Sequence, residues 1–325
     1  MLGFFIIFKT NCEFIIIFLF KLNFMLDKSR IKYYIRIKES KSYSWREIMN
    51  KLSIEKRAQI IGCLVEGNSI RSTVRLTGAA KNTVTKFAVE IGNACADYQD
   101  KVFRNLPCKK IQCDEIWSFC YAKEKNVPDE HKGKWGYGDV YTWTAIDADT
   151  KLVPSFFVGR RDAECAHVFM LDLASRLKNR VQLTTDGHRA YLNAVENAFG
   201  GDIDYAMLVK TYGNPQSTTD QRRYSPADCT GIEKLPISGK PDKKEVSTSY
   251  VERQNLTMRM SMRRFTRLTN GFSKKIENLV AAVSLYFMHY NFCRVHQTLR
   301  VTPAMEAGIA DHVWTIEEIV ELTKA

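Results

Sequence analysis

The spacing of apolar residues changes from a helical to a strand-like pattern along this chain. Over residues 53–64 and 80–95, apolar side chains recur every three or four positions, which predicts two amphipathic helices. A shorter helix is predicted between them, over residues 70–76, because Ser69 can cap its beginning and Gly78 can end it. The predicted order is therefore a short helix, a turn that contains glycine, and a longer helix.

This order is typical of a helix-turn-helix, whose second helix enters the major groove of DNA. We therefore predict an all-α, DNA-binding helix-turn-helix domain over residues 49–105. The alternative left open is a plain three-helix bundle whose charged residues face solvent. The candidate DNA contacts are the polar residues at the beginning of the longer helix, namely Lys81, Asn82, Thr83, Thr85 and Lys86.

Beyond residue 105 the apolar runs become shorter and rich in β-branched and aromatic residues, which predicts strands. Strands and helices are predicted in the order β-β-β-α-β-α-β, over residues 111–121, 140–146, 152–158, 162–177, 181–185, 190–199 and 205–210. That order predicts an α/β domain with a mixed sheet, which we assign to residues 106–300. Turn-forming residues at 147–151 predict a hairpin between the second and third strands.

The last third of the chain is predicted to be loop and helix. Residues 213–249 are polar and contain four prolines, which predicts a long loop inserted into the α/β domain. Apolar spacing over residues 250–268 and 273–292 predicts two more helices. Residues 301–325 are assigned to a C-terminal tail.

The first 48 residues differ in composition from the rest. Residues 2–26 are almost all Phe, Ile and Leu, but three charged residues interrupt a run that would otherwise resemble a membrane span. The hypothesis is that residues 1–48 are a leader translated from an early start codon, because Met49 begins an ordinary segment. The alternative left open is a segment that associates with a membrane or packs against the protein.

Charge narrows the choice of partner. The 325 residues have 48 Lys and Arg against 36 Asp and Glu, a net charge of +12. Residues 1–48 account for +5 of this, so the remainder still has a net charge of +7 and favours a polyanionic partner, most simply nucleic acid. Nine cysteines without a CxxC pair argue against a disulfide scaffold, so a reduced, cytoplasmic protein is expected.

Three carboxylates could come together in the predicted architecture. Asp114 lies within the first strand, Asp186 at the end of the fourth, and Glu252 near the beginning of a helix. Hard cations such as Mg²⁺ prefer oxygen ligands, and two of them can activate a water or a 3′-hydroxyl against a phosphodiester. These acids are therefore the candidate catalytic and metal-binding residues, although their separation in sequence leaves their convergence open.

Other charged residues are alternative candidates for the site. Glu115 is expected to point away from Asp114, because neighbouring residues of a strand face opposite sides of the sheet. Asp147 and Asp149 are expected to shape the hairpin turn. A basic stretch follows Glu252 and supplies further candidate DNA contacts, although such a stretch is usually a solvated face: Arg253, Arg259, Arg263 and Arg264.

Three acidic blocks resemble those of a DDE transposase, most closely the insertion-element-one family of bacterial insertion sequences. They are CDEIWSF at 113–119, TTDGHRAY at 184–191 and YVERQN at 250–255. The resemblance implies a ribonuclease-H-like catalytic domain and two Mg²⁺ or Mn²⁺ ions bound by Asp114, Asp186 and Glu252. It also implies hydrolysis of DNA followed by strand transfer.

The expected function is thus a transposase that binds the ends of an insertion sequence and cuts and joins them. Its expected partners are double-stranded DNA, as terminal repeats and as target, and further copies of itself on that DNA. The expected location is the cytoplasm, at the bacterial nucleoid. The alternative left open is a non-catalytic DNA-binding regulator derived from a decayed transposase.

Overall fold

Three helices lie at the beginning of the described chain, close to where the sequence predicts them. The computed structural model describes residues 52–213, 229–266 and 269–324, so the predicted leader lies outside it. The helices are α1 (Ile54–Val65), α2 (Ile70–Thr77) and α3 (Lys81–Val102). The Ser69 hydroxyl accepts a hydrogen bond from Ser72 N at 3.0 Å, and Gly78 ends α2 in the left-handed conformation, so both predicted boundaries are confirmed.

A mixed six-stranded sheet follows. Its strands are β1 (Lys110–Cys120), β2 (Gly138–Asp147), β3 (Ser155–Gly159), β4 (Gln182–Asp186), β5 (Asp204–Tyr212) and β6 (Cys229–Ser238). Their order in the sheet is β3-β2-β1-β4-β5-β6. The central pairs β1–β4 and β4–β5 are parallel, and the other three pairs are antiparallel. The five predicted strands and the hairpin between β2 and β3 are confirmed.

The sixth strand corrects the prediction of a long loop over residues 213–249. β6 pairs along β5 at the edge of the sheet, and most of its side chains are exposed. An edge strand is held by main-chain hydrogen bonds on one side and needs no alternating apolar pattern, and an edge also tolerates a proline such as Pro236. Its composition therefore resembled that of a loop.

Six further α-helices lie in the part of the chain that the structure describes: α4 (Ala163–Arg176), α5 (Ala190–Phe199), α6 (Ser249–Ser261), α7 (Ile276–Met288), α8 (Pro303–Glu306) and α9 (Ile316–Glu321). Two of them, α4 and α5, lie where the sequence predicts helices, whereas α6 ends before the predicted limit of residue 268. The predicted C-terminal tail contains two short helices, and Ile319 and Val320 of the second are fully buried.

The helical segment packs against the α/β part of the chain. Residues Leu52–Ala325 form one compact unit, so the boundary between residues 105 and 106 is not a break in packing. Gln99 on α3 donates to Ser284 O on α7 at 3.2 Å, in the buried interface between the two helices. In the part of the chain that the structure describes, no helix is long and apolar enough to cross a bilayer.

Gly92 sets how closely α3 approaches α7. A Cβ at Gly92 would overlap the backbone of Ala281. We expect Gly92→Ala to lower the free energy of unfolding by about 1–3 kcal/mol, because the helices would have to separate. Gly62→Ala on α1 is the matched control. Its Cβ would make only an ordinary 3.5 Å contact with Ile316, so that variant should be neutral or slightly more stable in urea denaturation.

Candidate metal-binding active site

The two predicted catalytic aspartates lie side by side in the sheet. Asp114 is in the middle of β1, and Asp186 is the last residue of the neighbouring parallel strand β4. Cys113 pairs with Thr185, so Asp114 and Asp186 follow at the next step of the same register. One carboxylate oxygen of each lies within 4.8 Å of the other.

Glu252 reaches the same cleft from the first turn of α6. It accepts hydrogen bonds from Lys210 Nζ on β5 and from Thr248 Oγ1, the latter at 2.6 Å. One turn further along α6, Asn255 Nδ2 donates to Asp114 Oδ2 at 2.8 Å and ties the helix to β1. The structure thus brings all three predicted acids to the walls of one cleft.

Glu115 also joins the site, although its side chain starts from the opposite face of the sheet, as expected. Its strand partner Trp143 packs against α4, whereas Asp114 is hydrogen-bonded from Asn255 on α6. One oxygen of each of Asp114, Glu115 and Asp186 lies within 4.8 Å of the others. Because β4 ends at Asp186, no residue of that strand stands beside Glu115, and its longer side chain can reach the end of the strand. Nothing in the local alternation pattern could show where the neighbouring strand stops.

The Glu115 carboxylate is buried, with 1% of its side chain exposed. Its Oε2 accepts a hydrogen bond from Arg161 Nε at 3.0 Å, whereas Oε1 has no hydrogen-bond partner. The Tyr191 hydroxyl lies close enough to lower the pKa of Glu115, but it makes no hydrogen bond of good geometry. Arg161 is a site residue that no sequence pattern had indicated.

Burial raises the pKa of both carboxyl groups on β1. The pKa of Asp114 is raised to about 6, first by burial and then by the neighbouring charge of Asp186. The pKa of Glu115 is raised to about 7 by the same two causes in the same order. Carboxylates held this close repel each other when ionised, and a cation between them would remove that repulsion.

The cleft has a volume of about 740 Å³, and Arg161, Lys210 and His188 line it together with the three predicted acids. Its donor set consists of carboxylate oxygens, to which Glu115 Oε1 and Asn255 Oδ1 add two buried oxygens without a hydrogen-bond partner. Oxygen ligands are those that Mg²⁺ and Mn²⁺ prefer. The residues present therefore fit a divalent metal ion.

Local hydrogen bonds hold the Asp186 carboxylate at the end of β4 and, separately, shape the hairpin turn at Asp147. The backbone N–H of His188 donates to Asp186 Oδ1 at 3.0 Å and fixes that carboxylate at the end of β4. The prediction for Asp147 is confirmed: this buried residue accepts hydrogen bonds from Thr150 N at 2.9 Å and Thr150 Oγ1 at 2.7 Å within the turn after β2.

The predicted DNA contacts of the helix-turn-helix lie in the first two turns of α3. Lys81, Asn82, Thr83 and Lys86 are exposed. Thr85 is half-buried, and its hydroxyl donates to Lys81 O at 2.9 Å. Their accessibility is compatible with a groove-facing surface, and their role in DNA binding stays a prediction.

The four arginines predicted beyond Glu252 differ in placement. Arg253 and Arg263 are exposed, and Arg259 is half-buried. Arg264 is also half-buried; its Nε donates to Ser273 Oγ at 2.7 Å, and burial lowers the pKa of its guanidinium to about 10. Arg253 and Arg263 are therefore better placed for DNA contact than Arg264.

Comparison with protein families identifies one domain. Residues 130–214, which include Asp186 but neither Asp114 nor Glu252, match the family described as a DDE domain. No curated protein sequence matches the chain.

Similar solved structures include two transposases. The piggyBac transposase synaptic complex with hairpin DNA is 9% identical, with 90% of this chain and 74% of that chain covered and a TM-score of 0.39. A pre-cleavage Mos1 transpososome is 10% identical, covering 56% and 68%, with a TM-score of 0.19. The Mos1 mariner paired-end complex with Mn is 10% identical, covering 83% and 88%, with a TM-score of 0.20.

The matched domain indicates the class of protein. The match supports an enzyme that acts on DNA by DDE-type transposition chemistry. The six-stranded mixed sheet with helices on it fits a ribonuclease-H-like domain.

Proposed function

We propose that this transposase binds the ends of an insertion sequence and catalyses metal-dependent strand cleavage and strand transfer. The observation that supports the proposal most is the cleft itself. Asp114, Asp186 and Glu252, distant in sequence, line one cleft together with cationic side chains that could receive phosphate groups.

The acids are proposed to hold two Mg²⁺ or Mn²⁺ ions. When bound, such ions stabilise the attacking and leaving oxygens of a phosphodiester displacement. Asp114 and Asp186 provide closely spaced carboxylates, and Glu252 provides a third from α6. Asn255 and the His188 N–H fix the orientation of Asp114 and Asp186, so the ligand oxygens are arranged before any ion arrives.

Direct evidence would come from nicking of DNA that contains the ends of the element. We expect the wild-type protein to nick such DNA in Mg²⁺ or Mn²⁺ and not in EDTA. Binding without nicking in either metal would contradict the catalytic proposal and would favour the alternative of a DNA-binding regulator.

Recognition of the ends is assigned to α3. A double variant, Lys81→Ala with Lys86→Ala, should weaken binding to end DNA and reduce the slope of log affinity against log salt concentration by about 2, if each lysine meets one phosphate. Electrophoretic mobility shifts over a series of salt concentrations measure both quantities.

The matched control replaces Lys109 and Lys178 by Ala. Both are exposed and precede β1 and β4, at the end of these strands opposite to Asp186. This control should leave the affinity and the salt slope unchanged. Equal losses in the two double variants would mean that α3 is not a specific DNA-binding element.

Three finer features complete the proposal. The acidic blocks support membership of the insertion-element-one family, and a protein acting on chromosomal DNA would work at the nucleoid. Since transposition joins two ends, we expect at least two copies of the chain in the active assembly on DNA.

A further inference from the structure

Arg161 occupies an unusual position beside the acids. It lies in the short connection between β3 and α4, and its guanidinium reaches across to two carboxylates. Nε is 3.0 Å from Glu115 Oε2, and Nη2 is 3.4 Å from Asp186 Oδ2. Arg161 thus touches both a proposed metal ligand and an acid whose role the proposed function leaves open.

Arg161 and its partner Glu115 differ in burial. Glu115 is 1% exposed, whereas the side chain of Arg161 is 40% exposed and lines the cleft. The Arg161 Cζ also lies 5.9 Å from the centre of the Tyr141 ring, so an aromatic face and a buried carboxylate both limit its orientation. The guanidinium is anchored from the protein interior and presented to the cleft.

The Arg161 guanidinium has N–H donors that its contacts with Glu115 and Asp186 do not use. It has five N–H groups in a planar fork, of which Glu115 and Asp186 account for two. Such a fork matches the oxygens of a phosphate, and its hydrogen bonds to an anion are short and strong. Because the 3.4 Å contact with Asp186 is long, Asp186 can exchange it for a metal ion without displacing Arg161 from Glu115.

We propose that Arg161 binds a non-bridging oxygen of the phosphate that is cut or joined, and that Glu115 is the positioning residue that holds it there. This inference rests on the proposed function, since it places the reacting phosphate in the same cleft. The competing explanation is purely structural: Arg161 would merely compensate the buried charge of Glu115.

A charge-paired double variant separates the two explanations. Arg161→Gln alone leaves Glu115 buried without its cation, and Glu115→Gln alone leaves the arginine without its anchor. The double variant removes both charges with little change in volume and should fold as stably as the wild type. If Arg161 only compensates Glu115, the double variant should recover wild-type nicking.

Our proposal predicts the opposite result. At saturating end DNA, both the double variant and Arg161→Gln should nick about 10- to 100-fold more slowly than wild type, and the double variant should keep a normal melting temperature. The slope of log affinity against log salt concentration should fall by about 1 in both Arg161→Gln and the double variant. Lys178→Gln, which removes an exposed charge away from the cleft, should change neither quantity.

The Mg²⁺ requirement tests the role of Glu115. If Glu115 positions Arg161, Glu115→Gln should lower kcat about 3- to 10-fold, the loss from one weakened hydrogen bond, while the Mg²⁺ concentration at half-maximal rate stays unchanged. A rise of tenfold or more in that concentration would make Glu115 a metal ligand and would overturn its positioning role.

Failure of the proposed function and failure of the role of Arg161 would give different results. A wild-type protein that binds end DNA but never nicks it overturns the proposed function, and this inference with it. A wild-type protein that nicks, together with a double variant that nicks equally well, overturns only the role of Arg161.

Discussion

Asp186→Asn is expected to reduce Mg²⁺-dependent strand cleavage by about a thousandfold or more while leaving the affinity for end DNA within a few-fold of wild type. Asp186 is the last residue of β4, next to Asp114, and the substitution removes the charge that would hold a cation there. Asn keeps an oxygen that can accept from the His188 N–H, so the turn after β4 should survive. Single-turnover nicking and mobility shifts measure the two effects separately.

Asp149→Asn is the matched control for this substitution. Asp149 lies in the turn after β2, partly exposed, where it pairs with Lys110 at 3.0 Å. An exposed pair of this kind contributes little to stability, so the variant should cleave at the wild-type rate. Wild-type cleavage by Asp186→Asn, or an equal loss in both variants, would contradict the metal assignment.

The acidic cluster should also make the metal-free protein less stable as the pH rises. Asp114 has a pKa of about 6 in the folded protein and Glu115 about 7, against about 4 for both when unfolded. Between about pH 4 and pH 7 the folded state therefore binds more protons than the unfolded state. By linkage, this cluster's contribution to the free energy of unfolding falls across that window and levels off above it.

Asp114→Asn isolates this effect. In EDTA at pH 8, we expect its free energy of unfolding to exceed that of wild type by on the order of 1–3 kcal/mol, and the difference to vanish near pH 4. Asn still offers an oxygen to Asn255, and the variant should be inactive in cleavage. Urea denaturation at the two pH values provides the measurement. A variant less stable than wild type at pH 8 would show that Asp114 is not under electrostatic strain.

Added Mg²⁺ should reverse the order of stability of wild type and Asp114→Asn at pH 8. A cation bound only by the folded state raises the free energy of unfolding by an amount set by its concentration relative to Kd. Wild type at pH 8 should therefore gain melting temperature with Mg²⁺, and Asp114→Asn should gain much less. Equal gains would place the cation elsewhere.

Local patterns were enough to predict most elements of this fold. The caps and apolar spacing of α1 and α2 depend on residues within a few positions of each other, and the same holds for the hairpin turn at Asp147. The sequence did not predict β6, because an edge strand is defined by its partner, β5, rather than by its own composition. The extension of α3 to Val102 likewise depends on apolar residues such as Tyr98 packing against other parts of the chain.

The sequence by itself determined the order of the elements and the three acids worth examining. The closeness of Asp114 and Asp186 depends on the register of two parallel strands that are far apart in the chain. The approach of Glu252 depends on where α6 packs. The inclusion of Glu115 and Arg161 depends on where β4 ends and on the path of the short connection between β3 and α4. Side-chain type and short-range spacing are encoded locally, but the distance between two carboxylates is set by the packing of whole elements, and only the tertiary structure decided it.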